Sequence, residues 1–335
     1  MPIPMSYILF FMLLVLSLIL SISSSSFFGA WIGLELNLLS FIPLIAIKMN
    51  SYSSEAALKY FLIQALASSL IIMSTSLTFT YPYASSFIIL MSLLLKLGAA
   101  PFHFWFPQVM MGLIWPQVII LMILQKIAPM LLISYLMNND LISKTLILSA
   151  IFSALIGALG GLNNMNLRKI MAFSSINHMS WMFMALTISE TMWLMYFIFY
   201  SAVSLSVILL FNYLQVYNFS SMSTLSPLTS LTPLVVPMAL LSMGGLPPFT
   251  GFIPKWILIQ VMISSNMIPT LFFLLTSALI TLFFYLRIII PFFLLSSPSI
   301  SFYNKMKYNN NSLIYYFFIF FNLIGLMFPL TFIIP

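Results

Sequence analysis

Long apolar segments, each about 20 residues and separated by short polar loops, cover almost all of the 335-residue chain. A helix of about 20 residues crosses the ~30 Å hydrocarbon core of a bilayer. Inside that core only helices and closed barrels satisfy all of their own backbone hydrogen bonds. The segments are continuously apolar and do not alternate, so they predict helices. We therefore expect an all-α polytopic membrane protein.

Eleven such segments, each of about 20 residues, can be delimited. We expect them at about Ile3–Ile22, Phe27–Ile47, Ala56–Phe79, Ala84–Met111 with an interruption at Gly98–Pro101, Pro116–Met137, a sixth ending near Gly161–Asn164, Ile170–Ile188, Met192–Leu214, a ninth broken at Gly244–Pro248 that resumes at Lys255, a tenth ending near Arg287–Pro291, and an eleventh after Asn309–Asn311. This organisation predicts a single transmembrane domain over residues 1–335, without a separate soluble domain.

Composition excludes several classes of function. Hydrophobic residues make up 62% of the chain and charged residues 4%, against about 25% charged in soluble proteins. The net charge is +7, but the basic residues occur singly or in pairs, which indicates topology signals and not a nucleic-acid surface. The chain has no cysteine and 2 distant histidines, so iron–sulfur ligation is excluded and we expect no metal site.

The charged loop residues segregate between alternate loops. One side collects Lys48, Lys59, Arg168, Lys169, Arg287, Lys305 and Lys307, with Glu55 as its acid, and the other side holds Lys144, Asp140 and Glu190. Cytoplasmic or matrix loops of membrane proteins carry the excess of Lys and Arg. The pattern predicts that the N-terminus lies on the positive side.

Four ionisable residues lie within the apolar segments: Glu35, Lys96, Lys126 and Lys255. A charge in mid-bilayer costs about 2.5–3.5 kcal/mol on insertion scales, so such residues line a hydrated path or pair with one another. Lys96 and Lys255 also flank two copies of one pattern, G-x-x-P-F, which begin at Gly98 and Gly245. Glycine and proline end helices, and paired discontinuous helices indicate an ion path in transporters. Two unrelated loops between shorter helices are the alternative.

A further set of motifs makes the chain recognisable. In order they are Trp31–Asn37, Glu55–Ala56 with Lys59–Leu62, Lys96–Trp105, Gln125–Pro129, Leu167–Ile176, Gly244–Phe249 and Pro254–Trp256. With these motifs the chain resembles the subunit 2 family of mitochondrial NADH:ubiquinone oxidoreductase, respiratory complex I, in its animal and insect form. That family belongs to the antiporter-like subunits, which are built from two inverted helical repeats.

The resemblance implies a membrane-arm subunit of a proton-translocating enzyme, located in the mitochondrial inner membrane with the N-terminus in the matrix. It pairs Glu35 with Lys96, makes Lys126 the central proton relay, and makes Lys255 the terminal lysine. NADH, FMN, iron–sulfur clusters and ubiquinone are then expected on other subunits, with no cofactor here. The implied partners are other membrane-arm subunits, including further antiporter-like ones, and lipids such as cardiolipin.

Simpler roles compete at each of these positions. In the alternative view, Glu35 and Lys96 form a static ion pair. The Lys126 side chain then extends to the membrane–water interface, and Lys255 is a loop residue that marks topology. His178 is either a bridging relay or a hydrogen-bonded core residue, and His103 is expected to be structural. For the whole chain, the alternatives are a stand-alone cation/proton antiporter and a structural spacer with inert lysines.

Overall fold

A computed structural model describes residues 5–46, 50–78, 80–219, 221 and 232–295, without the side chains of 232–234 and 291–295. These residues are almost entirely helical, and within them extended backbone pairs in one isolated bridge, Asn166–Asn218. The expected all-α membrane fold is confirmed. The eleventh predicted segment, residues 220 and 222–231 after the eighth segment, and the loop residues Lys48, Lys305 and Lys307 lie outside the described residues.

Twelve helices are described in these ranges, and their bounds follow in chain order. They are α1 Met5–Ser23, α2 Phe27–Ile45, α3 Ser51–Leu77, α4 Pro82–Leu97, α5 Trp105–Gly112, α6 Trp115–Ser134, α7 Asp140–Gly161, α8 Leu167–Ile188, α9 Glu190–Leu214, α10 Thr232–Gly244, α11 Phe252–Ser264 and α12 Ile268–Leu295. By length and composition, 7 of the described helices can cross a membrane, namely α1, α2, α3, α6, α7, α9 and α12.

Contacts divide the chain into two compact units, residues 1–153 and 154–335. Unit 1 packs α1 on α2, α2 on α3, and α3 on α4 and α5. The α1–α2 approach depends on Gly33, because a Cβ there would lie 2.6 Å from the backbone nitrogen of Ser21. Phe41 and Tyr60 pack edge to face across α2 and α3, with ring centroids 5.1 Å apart. The single-domain expectation stays a prediction.

Unit 2 packs α8 and α10 against α9 and α12. The Ser277 hydroxyl donates to the side-chain oxygen of Asn177 over 3.0 Å, which ties α12 to α8. At one end of the unit, Arg287 donates to the carbonyl of Leu162 over 2.6 Å. Sequence reasoning ended the tenth segment near Arg287–Pro291, and the membrane-spanning part of α12 ends there, at Ile290, although the helix itself continues to Leu295. The guanidinium binds a loop carbonyl beside the helix, so its charge does not end the helix.

Both predicted interruptions are present. Helix α4 ends at Leu97 and α5 begins at Trp105, while α10 ends at Gly244 and α11 begins at Phe252. Gly98 (φ 69°) and Gly245 (φ 76°) adopt the left-handed conformation that side chains disfavour. The Ala100–Pro101 bond is cis. One feature was not predicted: α6 contains a π-helical turn, Ile120–Leu124, directly before Gln125 and Lys126.

Candidate proton-relay site

Two of the predicted amines line one cavity in unit 1. Lys96 is 7% exposed and Lys126 is 1% exposed, so neither side chain extends to the surface as the alternative view of Lys126 requires. The cavity measures about 10 Å³, which is close to the space that one water needs. The ammonium of Lys126 also lies 5.7 Å from the ring centroid of Phe106, within the range of a cation–π contact.

The first helix break holds Lys96 at depth because side chains satisfy the carbonyl groups that the break frees. Lys96 lies in the last turn of α4, just before the left-handed Gly98. The Gln64 amide donates to the Lys96 carbonyl over 3.1 Å, and the Trp105 indole donates to the Leu95 carbonyl over 3.1 Å. Lipid cannot satisfy such groups, so the α4 terminus is stable only inside the protein. A lysine at this end also complements the helix dipole.

A chain of hydrogen bonds crosses the same cavity. The Tyr60 hydroxyl donates to the side-chain oxygen of Gln125 over 3.3 Å. The Gln125 amide nitrogen in turn donates to the side-chain oxygen of Asn37 over 2.8 Å. Both ends of the Gln125 amide are therefore engaged, which sets its orientation next to Lys126. Three helices, α2, α3 and α6, are joined by this chain beside the two lysines.

Glu35 lies on α2, where its charge interacts electrostatically with Lys96. In the part of the chain that the structure describes, the two groups do not form an ion pair, whereas Lys59 and Glu55 do, over 2.6 Å. The Oε2 atom of Glu35 is buried without a hydrogen-bond partner among the described residues. The carboxylate thus acts on Lys96 at longer range, and its expected pairing with Lys96 stays a prediction.

The second break holds an amine in unit 2. Lys255 is 5% exposed, and its Nζ donates to the Gly244 carbonyl at the end of α10 over 2.9 Å. The same ammonium lies 5.8 Å from the ring centroid of Trp181 on α8. The positive φ of Gly245 leaves room for it, since a Cβ there would lie 2.9 Å from Nζ. A loop position for Lys255 does not fit this burial.

His178 lies on α8 within unit 2 and is 8% exposed. Its Nδ1 is 3.0 Å from the Tyr196 hydroxyl, and its ring centroid is 5.1 Å from that of Tyr200. Together with Pro254, the neighbour of Lys255, these rings line a second cavity of about 10 Å³. His178 is therefore hydrogen-bonded and buried at the edge of a small cavity, a position compatible with either of its two expected roles.

The remaining candidates have local contacts. His103 Nδ1 is 3.2 Å from the Pro101 carbonyl, an acceptor, so this nitrogen carries the proton in that contact. The Arg168 guanidinium stacks on Tyr217 at 4.8 Å. Arg287 binds the loop that precedes α8, so Arg168 and Arg287 lie at the same end of unit 2. This arrangement agrees with their predicted grouping on one side.

Within unit 1 the structure places Lys96 and Lys126 on one cavity and Glu35 in electrostatic interaction with Lys96, and unit 2 contains His178 and Lys255. Sequence reasoning missed the polar residues beside these groups in each unit: Asn37, Tyr60, Gln64 and Gln125 in unit 1, and Tyr196 in unit 2. The amide side chains of Asn37, Gln64 and Gln125 could have been identified from the sequence, because a polar side chain within an apolar segment needs a partner inside the bilayer. Among the described residues, no three His, Asp or Glu side chains cluster as metal ligands.

Buried lysines beside two interrupted helices, in an all-helical membrane chain, define the class of antiporter-like ion-translocating membrane proteins. The chain belongs to one family within that class, described as NADH:quinone oxidoreductase/Mrp antiporter membrane proteins. The model of that family matches residues 24–84 and 82–281.

Individual relatives agree with this assignment. The chain is 46% identical over 282 residues to NADH-ubiquinone oxidoreductase chain 2 of Anopheles gambiae, covering 82% of this chain and 81% of the relative. Its fold is similar to a chain of respiratory complex I from Thermus thermophilus, with TM-score 0.76, 24% identity, and 86% and 70% of the two chains covered. It is also similar to a chain of an archaeal membrane-bound sulfane sulfur reductase, with TM-score 0.86, 17% identity, and 97% and 73% covered.

Proposed function

We propose that this chain is a membrane-arm subunit of NADH:ubiquinone oxidoreductase that takes part in proton translocation coupled to electron transfer from NADH to ubiquinone. Its relatives at 46% identity bear the name of that enzyme's chain 2, which favours this function over a stand-alone antiporter. The main support for the relay role is one observation: two buried amines, Lys96 and Lys126, line the same small cavity.

In this proposal Glu35, Lys96 and Lys126 carry protons within unit 1, and His178 and Lys255 carry them within unit 2. Burial disfavours the charged form of an amine, so a buried lysine exchanges its proton more readily than an exposed one. The Glu35 charge acts on Lys96, and a movement of this carboxylate would change how firmly Lys96 holds its proton. The hydrogen-bond chain of Asn37, Gln125 and Tyr60 holds the polar side chains in place around the cavity that Lys96 and Lys126 line.

Redox chemistry in this proposal belongs to other subunits, because the chain has no cysteine for iron–sulfur ligation. Partners are the other membrane-arm subunits, including antiporter-like ones, in the mitochondrial inner membrane. The basic end near Arg168, Lys169 and Arg287 would face the matrix, together with the N-terminus, as the positive-inside rule requires. Anionic head groups such as those of cardiolipin would bind at the same end.

The variant Lys126→Met tests the relay in the assembled enzyme. Methionine keeps most of the length and the apolar character of the lysine side chain but cannot hold a proton, so we expect turnover coupled to proton translocation to fall about a hundredfold or more, the contribution of a general acid–base group. Assembly should survive, because removing a buried charge does not weaken packing. Proton yield per NADH oxidised, together with native electrophoresis, measures both effects.

Lys144→Met is the matched control. Lys144 is exposed on α7, so the same substitution removes a charge without touching the buried amines. We expect the control to keep its proton yield. A normal proton yield in Lys126→Met would contradict the relay role and favour an inert, structural lysine.

A further inference from the structure

Two complementary polar atoms on α2 are buried without a hydrogen-bond partner among the described residues. They are Trp31 Nε1, which can only donate, and Glu35 Oε2, which can only accept while the carboxylate is ionised. Leaving a buried polar group unsatisfied costs about 1–3 kcal/mol. Unsatisfied groups of this kind are rare in folded proteins and each one needs an explanation. Here a donor and an acceptor are both unsatisfied on the same helix.

Helix geometry places the two side chains beside each other. Residues separated by four positions lie on the same face, with Cβ atoms about 5–6 Å apart. Side chains in a helix lean toward its N-terminus, so the Glu35 carboxylate leans over the turn that carries Trp31. Trp31 is itself held by Phe28, with ring centroids 5.7 Å apart. The indole N–H is therefore a donor on the same face of α2 as the carboxylate, one helical turn away.

Glu35 also interacts electrostatically with Lys96 on α4, without forming an ion pair in the described part of the chain. The carboxylate thus has two candidate partners, one on its own helix and one on α4, and in this structure its Oε2 engages neither by a hydrogen bond. A carboxylate with two candidate partners and a hydrogen bond to neither can bind each of them in turn.

We infer that Trp31 is a positioning residue for Glu35: its indole N–H is a second partner that the carboxylate binds when it leaves Lys96. The inference rests on the proposed function, in which Glu35 belongs to the proton relay. Binding to Trp31 carries the negative charge along α2, which changes the electrostatic interaction that Lys96 experiences. The orientation of the Glu35 side chain is thereby coupled to the protonation of Lys96.

Trp31→Phe and Trp31→Tyr, compared in the assembled enzyme, test this role. Both variants replace the indole by a single six-membered ring, so they share any loss of packing, but only tyrosine retains a hydrogen-bond donor. We expect NADH:ubiquinone turnover to fall about tenfold in Trp31→Phe, the effect of losing a hydrogen bond to a charged group. Tyrosine should restore turnover to within about threefold of the unaltered enzyme, since its hydroxyl can donate to the same carboxylate.

Trp193→Phe is the matched control, because Trp193 is 1% exposed and its Nε1 also lacks a partner among the described residues, whereas the carboxylate one turn away on its helix, Glu190, is exposed and lies outside the proposed relay. Its turnover should stay within about twofold of the unaltered enzyme, as expected for a change that removes no charged hydrogen bond. Equal losses in Trp31→Phe and Trp31→Tyr, unchanged turnover in Trp31→Phe, or failure of both variants to assemble would overturn the inference.

Glu35→Gln, measured in parallel, separates the inference from the function on which it rests. If Glu35→Gln loses turnover while Trp31→Phe keeps it, the relay stands and the role of Trp31 fails. If Glu35→Gln keeps its full proton yield, Glu35 is not part of the relay, and both the relay role of Glu35 and the positioning role of Trp31 are wrong.

Discussion

Gly245→Ala should separate Lys255 from the carbonyl that it binds. The added Cβ would lie 2.9 Å from both the Cδ and the Nζ of Lys255. The lysine side chain is flexible and the surrounding backbone is not, so the amine moves and loses its hydrogen bond to the Gly244 carbonyl. The φ of 76° at this position also strains any residue that carries a Cβ.

The size of the effect follows from these two contributions. A left-handed conformation costs a residue with a side chain about 1–2 kcal/mol. A hydrogen bond from a charged donor contributes about 1.5–3 kcal/mol. The backbone strain destabilises the break whatever the lysine does, whereas the lost hydrogen bond acts on the lysine itself. Its lower limit of about 1.5 kcal/mol lowers the population with the amine on the carbonyl by about tenfold, since about 1.4 kcal/mol corresponds to a factor of ten.

The assay is NADH:ubiquinone turnover with proton yield, normalised to the amount of assembled enzyme. We expect a loss of about tenfold for Gly245→Ala if Lys255 must stay on this carbonyl. Gly244→Ala is the comparison, since its added Cβ would make ordinary contacts, the shortest 3.6 Å from Tyr285, and it keeps the carbonyl. Equal turnover in the two variants would refute the reasoning, because the substitutions differ in their effect on the lysine.

Two further variants test other parts of the site. Tyr60→Phe removes the hydroxyl that holds Gln125 and should lower proton-linked turnover several-fold, in keeping with a loss of about 0.5–1.5 kcal/mol; unchanged turnover would mean that the hydrogen-bond chain does not position the relay. Gly33→Ala forces a Cβ to within 2.6 Å of the Ser21 backbone, and overpacking of this kind destabilises by about 1–3 kcal/mol. A lower thermal midpoint of the assembled enzyme should follow, and an unchanged midpoint would show that α1 and α2 separate without loss.

Both helix breaks could be predicted because their causes are local. Each break combines a glycine with a proline three positions later in the same G-x-x-P-F pattern, so Gly98 and Gly245 mark the breaks in the sequence, and both glycines adopt φ near 70° in the structure. The partner of Arg287 could not be predicted, for the opposite reason. A charged residue such as Arg287 indicates the end of an apolar segment, but its guanidinium also binds the carbonyl of Leu162, 125 positions away. Contacts over such distances leave no local pattern.

The depth of the lysines was also accessible from the sequence, since three amines lie in apolar segments where few other positions are polar. How the polar residues around these lysines pair with one another could not be predicted from the sequence. The Tyr60–Gln125 and Gln125–Asn37 hydrogen bonds join residues separated by 65 and 88 positions. Which amide meets which hydroxyl depends on how three helices pack and which rotamers that packing permits, and hydrogen bonds require defined distances and angles.

The amino-acid sequence alone established a helical membrane protein, its interruptions and the candidate proton carriers, because hydrophobic length, glycine, proline and isolated charge act over a single turn or a single segment. Tertiary structure decided where each carrier points. It engages Lys255 with the end of α10, places Lys96 and Lys126 on one cavity, and leaves Glu35 in electrostatic contact with Lys96 and one turn from the indole of Trp31. Helix packing sets these relations, since it brings side chains together that the chain keeps far apart.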